Sequence, residues 1–416
     1  MKLCKRVAAA LLAALLLTAL PIPARALSPV EAKDAALDYI ARAVPSPGFG
    51  EEWFVLALAR GGVRNAPYYQ NYYARVEAYV KAKGAALSAT RSTENSRLIL
   101  ALSAIGKDAA GVGGYDLTAP LADLEWLEAQ GVNGPVSALL ALDAGGYGTA
   151  ALRETLLDYI LGKEMPGGGW SFTGAFADAD TTAMALQALV AYRADPVVEA
   201  AIGRALPALS TMQLANGSFG HAEEGANVES TAQVVIALAA LGIDPQTDAR
   251  FVKAGDNALG AVLAYQMAGG GFKHKLADAR ADGMATEQAA RALVAYGRFV
   301  NGRDSLYASM YEPHAHVLGE WLTRIAATCT APGLEYRDCG KCLVEEETRQ
   351  INALGHVYTA TVTQPTKKAG GYTTHTCARC GHSYTDNPTA KIKRTEGFTV
   401  WDWIMFIVLF GWLWME

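Results

Sequence analysis

"DTTAMALQALVAY" (180–192) decides the fold, because it recurs. "ESTAQVVIALAAL" (229–241) and "MATEQAARALVAY" (284–296) align with it on Ala188, Ala237 and Ala292. Each carries a threonine six positions earlier: Thr182, Thr231 and Thr286. Weaker copies lie upstream in "TENSRLILALSAI" (93–105), "NGPVSALLALDAG" (133–145) and "GEEWFVLALAR" (50–60). Self-similarity at a period of roughly forty to fifty-five residues is the mark of helical-pair repeats.

A second kind of helix alternates with these copies. "DPVVEAAIGRALPAL" (195–209) places Val198, Ile202, Ala205 and Leu209 on one face, with Glu199 and Arg204 elsewhere. "AALRETLLDYILGKE" (150–164) and "PVEAKDAALDYIARA" (29–43) are also amphipathic, and Ser28 before Pro29 makes a good helix start. The repeated helices lack such a polar face, and a helix apolar all round is buried on every side. Six buried helices inside a sheath of amphipathic ones predict a closed α/α toroid of six helical hairpins, all-α, over residues 27–327. An open superhelix is the competing geometry, and it would need polar caps on its terminal units.

The connections repeat as well. Gly-rich turns ending in an aromatic occur at 45–50, 111–115, 166–170, 216–219 and 269–272, and Gln213 and Gln266 stand six residues before Phe219 and Phe272. The segments "QLANGSF" and "QMAGGGF" are similar to the Gln–Trp motifs of squalene-hopene cyclases, with Phe in place of Trp. On these residues the chain resembles the prenyltransferase and squalene-oxidase repeat superfamily, which also includes protein prenyltransferases and the toroid of cobalamin carriers. The resemblance covers 28 to about 325 and is strongest over 165–300.

It implies two possible activities. Triterpene cyclases carry Asp-x-Asp-Asp-Thr-Ala, whose middle aspartate protonates an alkene. The chain reads Asp178-Ala179-Asp180-Thr181-Thr182-Ala183, so that role would fall to Asp180, with Asp178 beside it and Thr181 replacing the third acid. Few aromatics are available to stabilise a migrating cation, Trp53 being an exception. Asp180, Glu229 and the turn before Thr286 also occupy equivalent helix starts, where acids satisfy orphan N–H groups. Helix capping is therefore the expected role of the acidic pair, and catalysis the alternative. The prenyltransferase likeness implies zinc held by Asp, Cys and His, yet residues 28–325 contain no cysteine, so no metal is expected in the toroid.

Binding is the favoured function. The hollow of a helical ring is a small-molecule site by default. Asp178, Asp180, Glu229 and Glu287, with His221, His274 and Trp53, are the candidate ligand-binding residues. They predict a small, largely apolar or amphipathic molecule, and cobalamin or a protein-interaction scaffold are further alternatives.

The ends of the chain differ in texture. Residues 1–26 read as a signal peptide: Lys2, Lys5 and Arg6, an apolar run, then Ala24-Arg25-Ala26. A net charge of −5 offers no general basic patch, so nucleic acid is not an expected partner. Beyond the leader, Cys329, Cys339, Cys342, Cys377 and Cys380 cluster in residues 328–388, where two Cys-x-x-Cys pairs suit tetrahedral zinc. That segment resembles zinc-ribbon-like modules of exported bacterial surface proteins. Its halves look like tandem copies, Lys367 standing where the first has Cys329, so one site using four of the five cysteines is expected, with His356 or His382 as a possible helper. Disulfides are the alternative in an oxidising compartment. After a linker at 389–397, the apolar, Trp-bearing segment 398–416 is expected to tether an exported protein to the membrane.

Overall fold

The computed structural model describes residues 27–172, 174–221, 225–393, 397 and 399–410; residues 1–26, expected to be a signal peptide, and the last six residues lie outside them. The chain divides into two compact units. The first holds the described residues up to Val317 together with Cys339–Glu345, and the second holds Leu318–Asp338 and the described residues from Glu346 onward. The toroid thus ends ten residues before the expected boundary at 327 and takes in part of the cysteine segment.

The first unit runs α1 (Pro29–Ala43), α2 (Glu52–Arg60), α3 (Ala66–Lys83), α4 (Thr93–Ala104), α5 (Leu124–Glu128) and α6 (Asn133–Gly145). It continues with α7 (Ala150–Gly162), α8 (Ala179–Leu189), α9 (Pro196–Met212), α10 (Val228–Ala240), α11 (Ala258–Ala264) and α12 (Gly283–Val300). Helix α2 packs on α4, α4 on α6, α6 on α8, α8 on α10, α10 on α12, and α12 on α2 again. The ring is therefore closed. These six are the helices of the sequence repeat; the remaining six alternate with them along the chain.

Burial separates the two sets as the sequence pattern requires. In α10, eleven of thirteen residues are buried, whereas α9 buries six of seventeen and α7 two of thirteen. The face expected of α9 is the buried one: Val198, Ile202, Ala205 and Leu209. Ser28 starts α1 with a reciprocal capping box to Glu31.

The repeated threonine has a structural task. The backbone N–H of Trp170 donates to Thr182 Oγ1 at 2.9 Å, that of Phe219 to Thr231 Oγ1 at 3.0 Å, and that of Phe272 to Thr286 Oγ1 at 2.9 Å. In these three repeats the buried aromatic turn is thereby hooked onto the following inner helix. The preceding glutamines fasten the turn to the next hairpin. Gln213 Nε2 donates to the carbonyls of Gly217 and Phe251, and Gln266 Nε2 to those of Gly270 and Ala32. The bond to Ala32 joins the last hairpin to α1.

Two departures from the expected all-α pattern stand out. Small antiparallel hairpins, β1 (Phe219–His221) with β2 (Gly225–Asn227) and β3 (Val252–Lys253) with β4 (Asp256–Asn257), ornament the first unit. The second unit is built from β5 (Leu322–Ile325), β6 (Gly333–Asp338) and β7 (Glu346–Ile351) in one sheet. A second sheet holds β8 (Tyr358–Thr363), β9 (Gly371–Cys377) and β10 (Ser383–Thr389). All neighbours pair antiparallel, so each half of the segment contributes one three-stranded meander. Helix α13 (Val400–Phe410) follows, its side chains largely exposed and apolar. Among the described residues no helix is long and apolar enough to cross a membrane.

Candidate functional site

The six inner helices enclose a cavity of about 480 Å³. Every one of them contributes to its wall: Trp53 and Phe54, Arg97 and Leu100, Ser137 and Leu140, Met184 and Gln187, Gln233, and Glu287, Gln288 and Arg291, with Tyr307 added from the segment after α12. The volume lies in the range of small-molecule sites, roughly 300–1,000 Å³.

The wall is more polar than the sequence pattern suggested. Arg291 is buried and bonds Glu287 through Nε at 2.8 Å and the Tyr307 hydroxyl through a terminal nitrogen at 2.6 Å. Burial pushes the Glu287 carboxyl up, with Arg291 opposing. For Arg291 burial acts downward, but the neighbouring Glu287 and Tyr307 outweigh it and hold the guanidinium charged. Between the adjacent helices α2 and α4, Arg97 Nε lies 2.6 Å from an oxygen of Glu52, a fully buried carboxylate that also accepts from Gly50 N at 2.8 Å. Three glutamines link neighbouring helices. Gln187 Nε2 donates to the carbonyl and side-chain oxygens of Gln233 at 3.0 Å, and Gln233 Nε2 donates to Gln288 Oε1 at 2.8 Å. The chain of donors ends on the Gln288 amide. With Arg97 and Arg291, it supplies hydrogen-bond donors to a cavity otherwise faced by Leu100, Leu140, Met184 and Phe54.

Of the expected ligand-binding residues, Trp53 and Glu287 line this cavity; Asp178, Asp180, Glu229 and His274 are not among its lining residues. Asp178 is the N-cap of α8: Oδ1 accepts from Thr181 N and Oδ2 from Phe172 N, both at 2.8 Å. Asn227 and Asp282 cap α10 and α12 in the same way, each four residues before the repeat threonine. The capping role expected of Asp180 therefore belongs to Asp178, and Asp180 sits half-buried in the first turn of α8. Glu229, its counterpart, pairs with His274 Nδ1 at 2.8 Å. The His221 side chain lies outside the described residues.

The sequence reading missed Arg97, Arg291, Tyr307 and the glutamines. One signal was present. Met184, Gln233 and Gln288 all stand two positions after the repeat threonine, and all three line the cavity.

The cysteines form two groups, where one site was expected. His314, His316, Cys339 and Cys342 converge within the first unit, and Cys329, His356, Cys377 and Cys380 within the second. Within each group the ligand atoms lie within 4.8 Å of one another, so each can hold a metal ion. The first set draws two candidate ligands, His314 and His316, from residues 27–327, where no metal was expected. The second copy gains its missing ligand from Cys329 of the first, and His382 instead bonds the Tyr358 hydroxyl at 2.9 Å. Against the opposing effect of burial, His316 and the backbone N–H groups of Lys341, Cys342 and Val317 lower the Cys339 thiol to about 6. Backbone N–H groups of Cys380, Arg379 and Val357, together with His356, likewise overcome burial and lower Cys377 to about 5.

No protein-family model matches the sequence, and comparison with curated proteins finds no match. Among solved structures the chain is similar to ent-copalyl diphosphate synthase from Streptomyces platensis, at 22% identity and a TM-score of 0.44, over 61% of this chain and 50% of that one. It thus spans half the length of that synthase. It is also similar to the type II terpene cyclase MstE from Scytonema, at 15% identity and a TM-score of 0.45, over 66% of this chain and 100% of that one.

Proposed function

We propose that the toroid is a binding module whose axial cavity takes a small amphipathic molecule, with its anionic or acceptor group against Arg97, Arg291 and the Gln288 amide. The observation that carries this reading is the convergence of all six inner helices on one cavity, where charged donors face an apolar wall. The largely apolar ligand expected from the sequence is thus refined to one with a polar head. Cyclisation is less well supported. Its expected acid, Asp180, is not among the lining residues, and Glu287, the carboxyl that does line the cavity, is tied to Arg291 Nε at 2.8 Å. Residues 1–26 and 398–416 support the further reading that the module is exported and held at a membrane surface.

Native mass spectrometry of the purified chain tests the binding reading. The expected result is a co-purifying mass, or a thermal shift with medium-chain carboxylates, that is lost in Leu140→Trp and weakened about tenfold or more in Arg97→Ala, in line with a charged hydrogen bond of about 1.5–3 kcal/mol. Absence of both, or a shift unchanged by the two substitutions, overturns it. Turnover of a polyene that disappears in Asp180→Asn would replace it with the cyclase reading.

A further inference from the structure

We infer that the chain carries two structural zinc sites with different donor sets, and that the first, His314–His316–Cys339–Cys342, belongs to the toroid and fastens the Cys339–Glu345 segment to it.

The ligand spacings in both groups suit tetrahedral zinc. With Zn–S about 2.3 Å and Zn–N about 2.0–2.1 Å, a tetrahedral site has S···S edges of about 3.8 Å and S···N edges of about 3.6 Å. Cys329 and Cys377 place their sulfurs 3.8 Å apart. Cys342 Sγ lies 3.5 Å from His316 Nδ1, and Cys380 Sγ 3.4 Å from His356 Nδ1. Cys₂His₂ and Cys₃His are both established zinc donor sets, and four protein ligands make a closed, structural site.

His314 supplies an independent indication. Its Nδ1 bonds the Glu312 carbonyl at 2.8 Å, while its Nε2 is buried with no hydrogen-bond partner among the described residues. A ring nitrogen buried without a partner is costly, unless it faces a cation. A backbone carbonyl on the opposite nitrogen is the usual way a metal-binding imidazole is held in the right tautomer.

The order of parts repeats: histidine, two strands, Cys-x-x-Cys, third strand. His316 precedes β5, β6 and Cys339-x-x-Cys342, and His356 precedes β8, β9 and Cys377-x-x-Cys380. Only the fourth ligand differs, His314 in one copy and Cys329 in the other.

The first site has a consequence for the toroid. Between its two cysteines and Glu345, the chain lays Val344 into the helical core. Leu343 N donates to the Ile105 carbonyl at 3.1 Å, Gln70 Nε2 donates to the Val344 carbonyl at 2.7 Å, and Lys107 pairs with Glu345 at 3.3 Å. Such a short segment has little area with which to hold itself in place, and a metal fixing its start lowers the entropy it must lose on docking.

Elemental analysis and native mass spectrometry of the full chain test the assignment. The expected stoichiometry is two zinc ions per chain, falling to one in His316→Ala and to one in Cys380→Ser. Amide exchange at Leu343 is expected to speed up at least tenfold in His316→Ala or after chelation, and to stay unchanged in Cys380→Ser. Where a variant does not fold, cobalt loaded into the unaltered chain should give two equivalents of the thiolate charge-transfer bands of tetrahedral sulfur–nitrogen sites. A metal-free chain with Cys339–Cys342 and Cys377–Cys380 disulfides overturns the inference, and so does a stoichiometry of one. Slow exchange at Leu343 that persists after full metal removal overturns the fastening role. None of these results bears on whether the axial cavity binds a ligand.

Discussion

The guanidinium of Arg291 stands 4.2 Å from the centre of the Trp53 ring, across the contact that closes the toroid between its last inner helix and its first. Because Arg291 also holds Glu287 in a buried place, its removal leaves a carboxylate without a counter-charge. Arg291→Ala is expected to cost about 3–5 kcal/mol in denaturant unfolding. The double variant with Glu287→Gln should recover part of that loss. Equal costs for the single and double variants would show that the pair has no such coupling.

Glu52 predicts a pH dependence. Burial pushes its carboxyl above the usual 4.5, with Arg97 opposing. The folded chain therefore binds this proton more tightly than the unfolded one. Its contribution to stability is fully present below 4.5 and lost as pH rises through the folded value. Glu52→Gln should flatten the stability profile just above pH 4.5; a profile parallel to that of the unaltered chain would contradict the assignment.

The threonine hooks make a repeat-wide prediction. Thr231→Val removes the acceptor for the buried Phe219 N–H and should cost about 1–3 kcal/mol, as should Thr286→Val at Phe272. Thr231→Ser keeps the hydroxyl and should retain most of the stability. Thermal melts of the three variants distinguish a lost hydrogen bond from a lost methyl group.

The acidic pair at the start of α8 separates cleanly by mutation. Asp178→Ala removes the cap and should cost about 0.5–2 kcal/mol. Asp180→Asn should cost less than that. The reverse order would return Asp180 to the centre of the site.

Gly106 tests the docking of the Cys339–Glu345 segment. Its φ is +78°, and an added Cβ would overlap Cys342 Cβ. Gly106→Ala should therefore speed Leu343 exchange while leaving the Cys329–His356–Cys377–Cys380 group intact. Unchanged exchange would show that the segment docks independently of this close approach.

The ring of hairpins was legible because its signal is local and repeated. An all-apolar helix states its own burial, and a threonine at a fixed offset from a glycine-rich aromatic turn marks each hairpin of the second half. The polar wall was harder to read. A helix buried on every side has no solvent face against which to measure direction, so nothing in "TEQAAR" beyond the offset of Gln288 from Thr286 says that Glu287 and Arg291 also turn toward the axis. Asp178, a candidate ligand-binding residue, does not line the cavity because capping draws its carboxylate back onto its own backbone.

By itself the sequence determined the number of hairpins, the alternation of buried and half-buried helices, and the pairing of cysteines at a spacing that suits a metal, since periodicity and donor spacing are properties of short segments. Only the tertiary structure decided which side chains meet at the axis, that Cys329 serves the second group, and that His314 and His316 complete the first. Those are meetings of residues far apart in the chain, brought about by helix packing and strand pairing, and no local pattern records them.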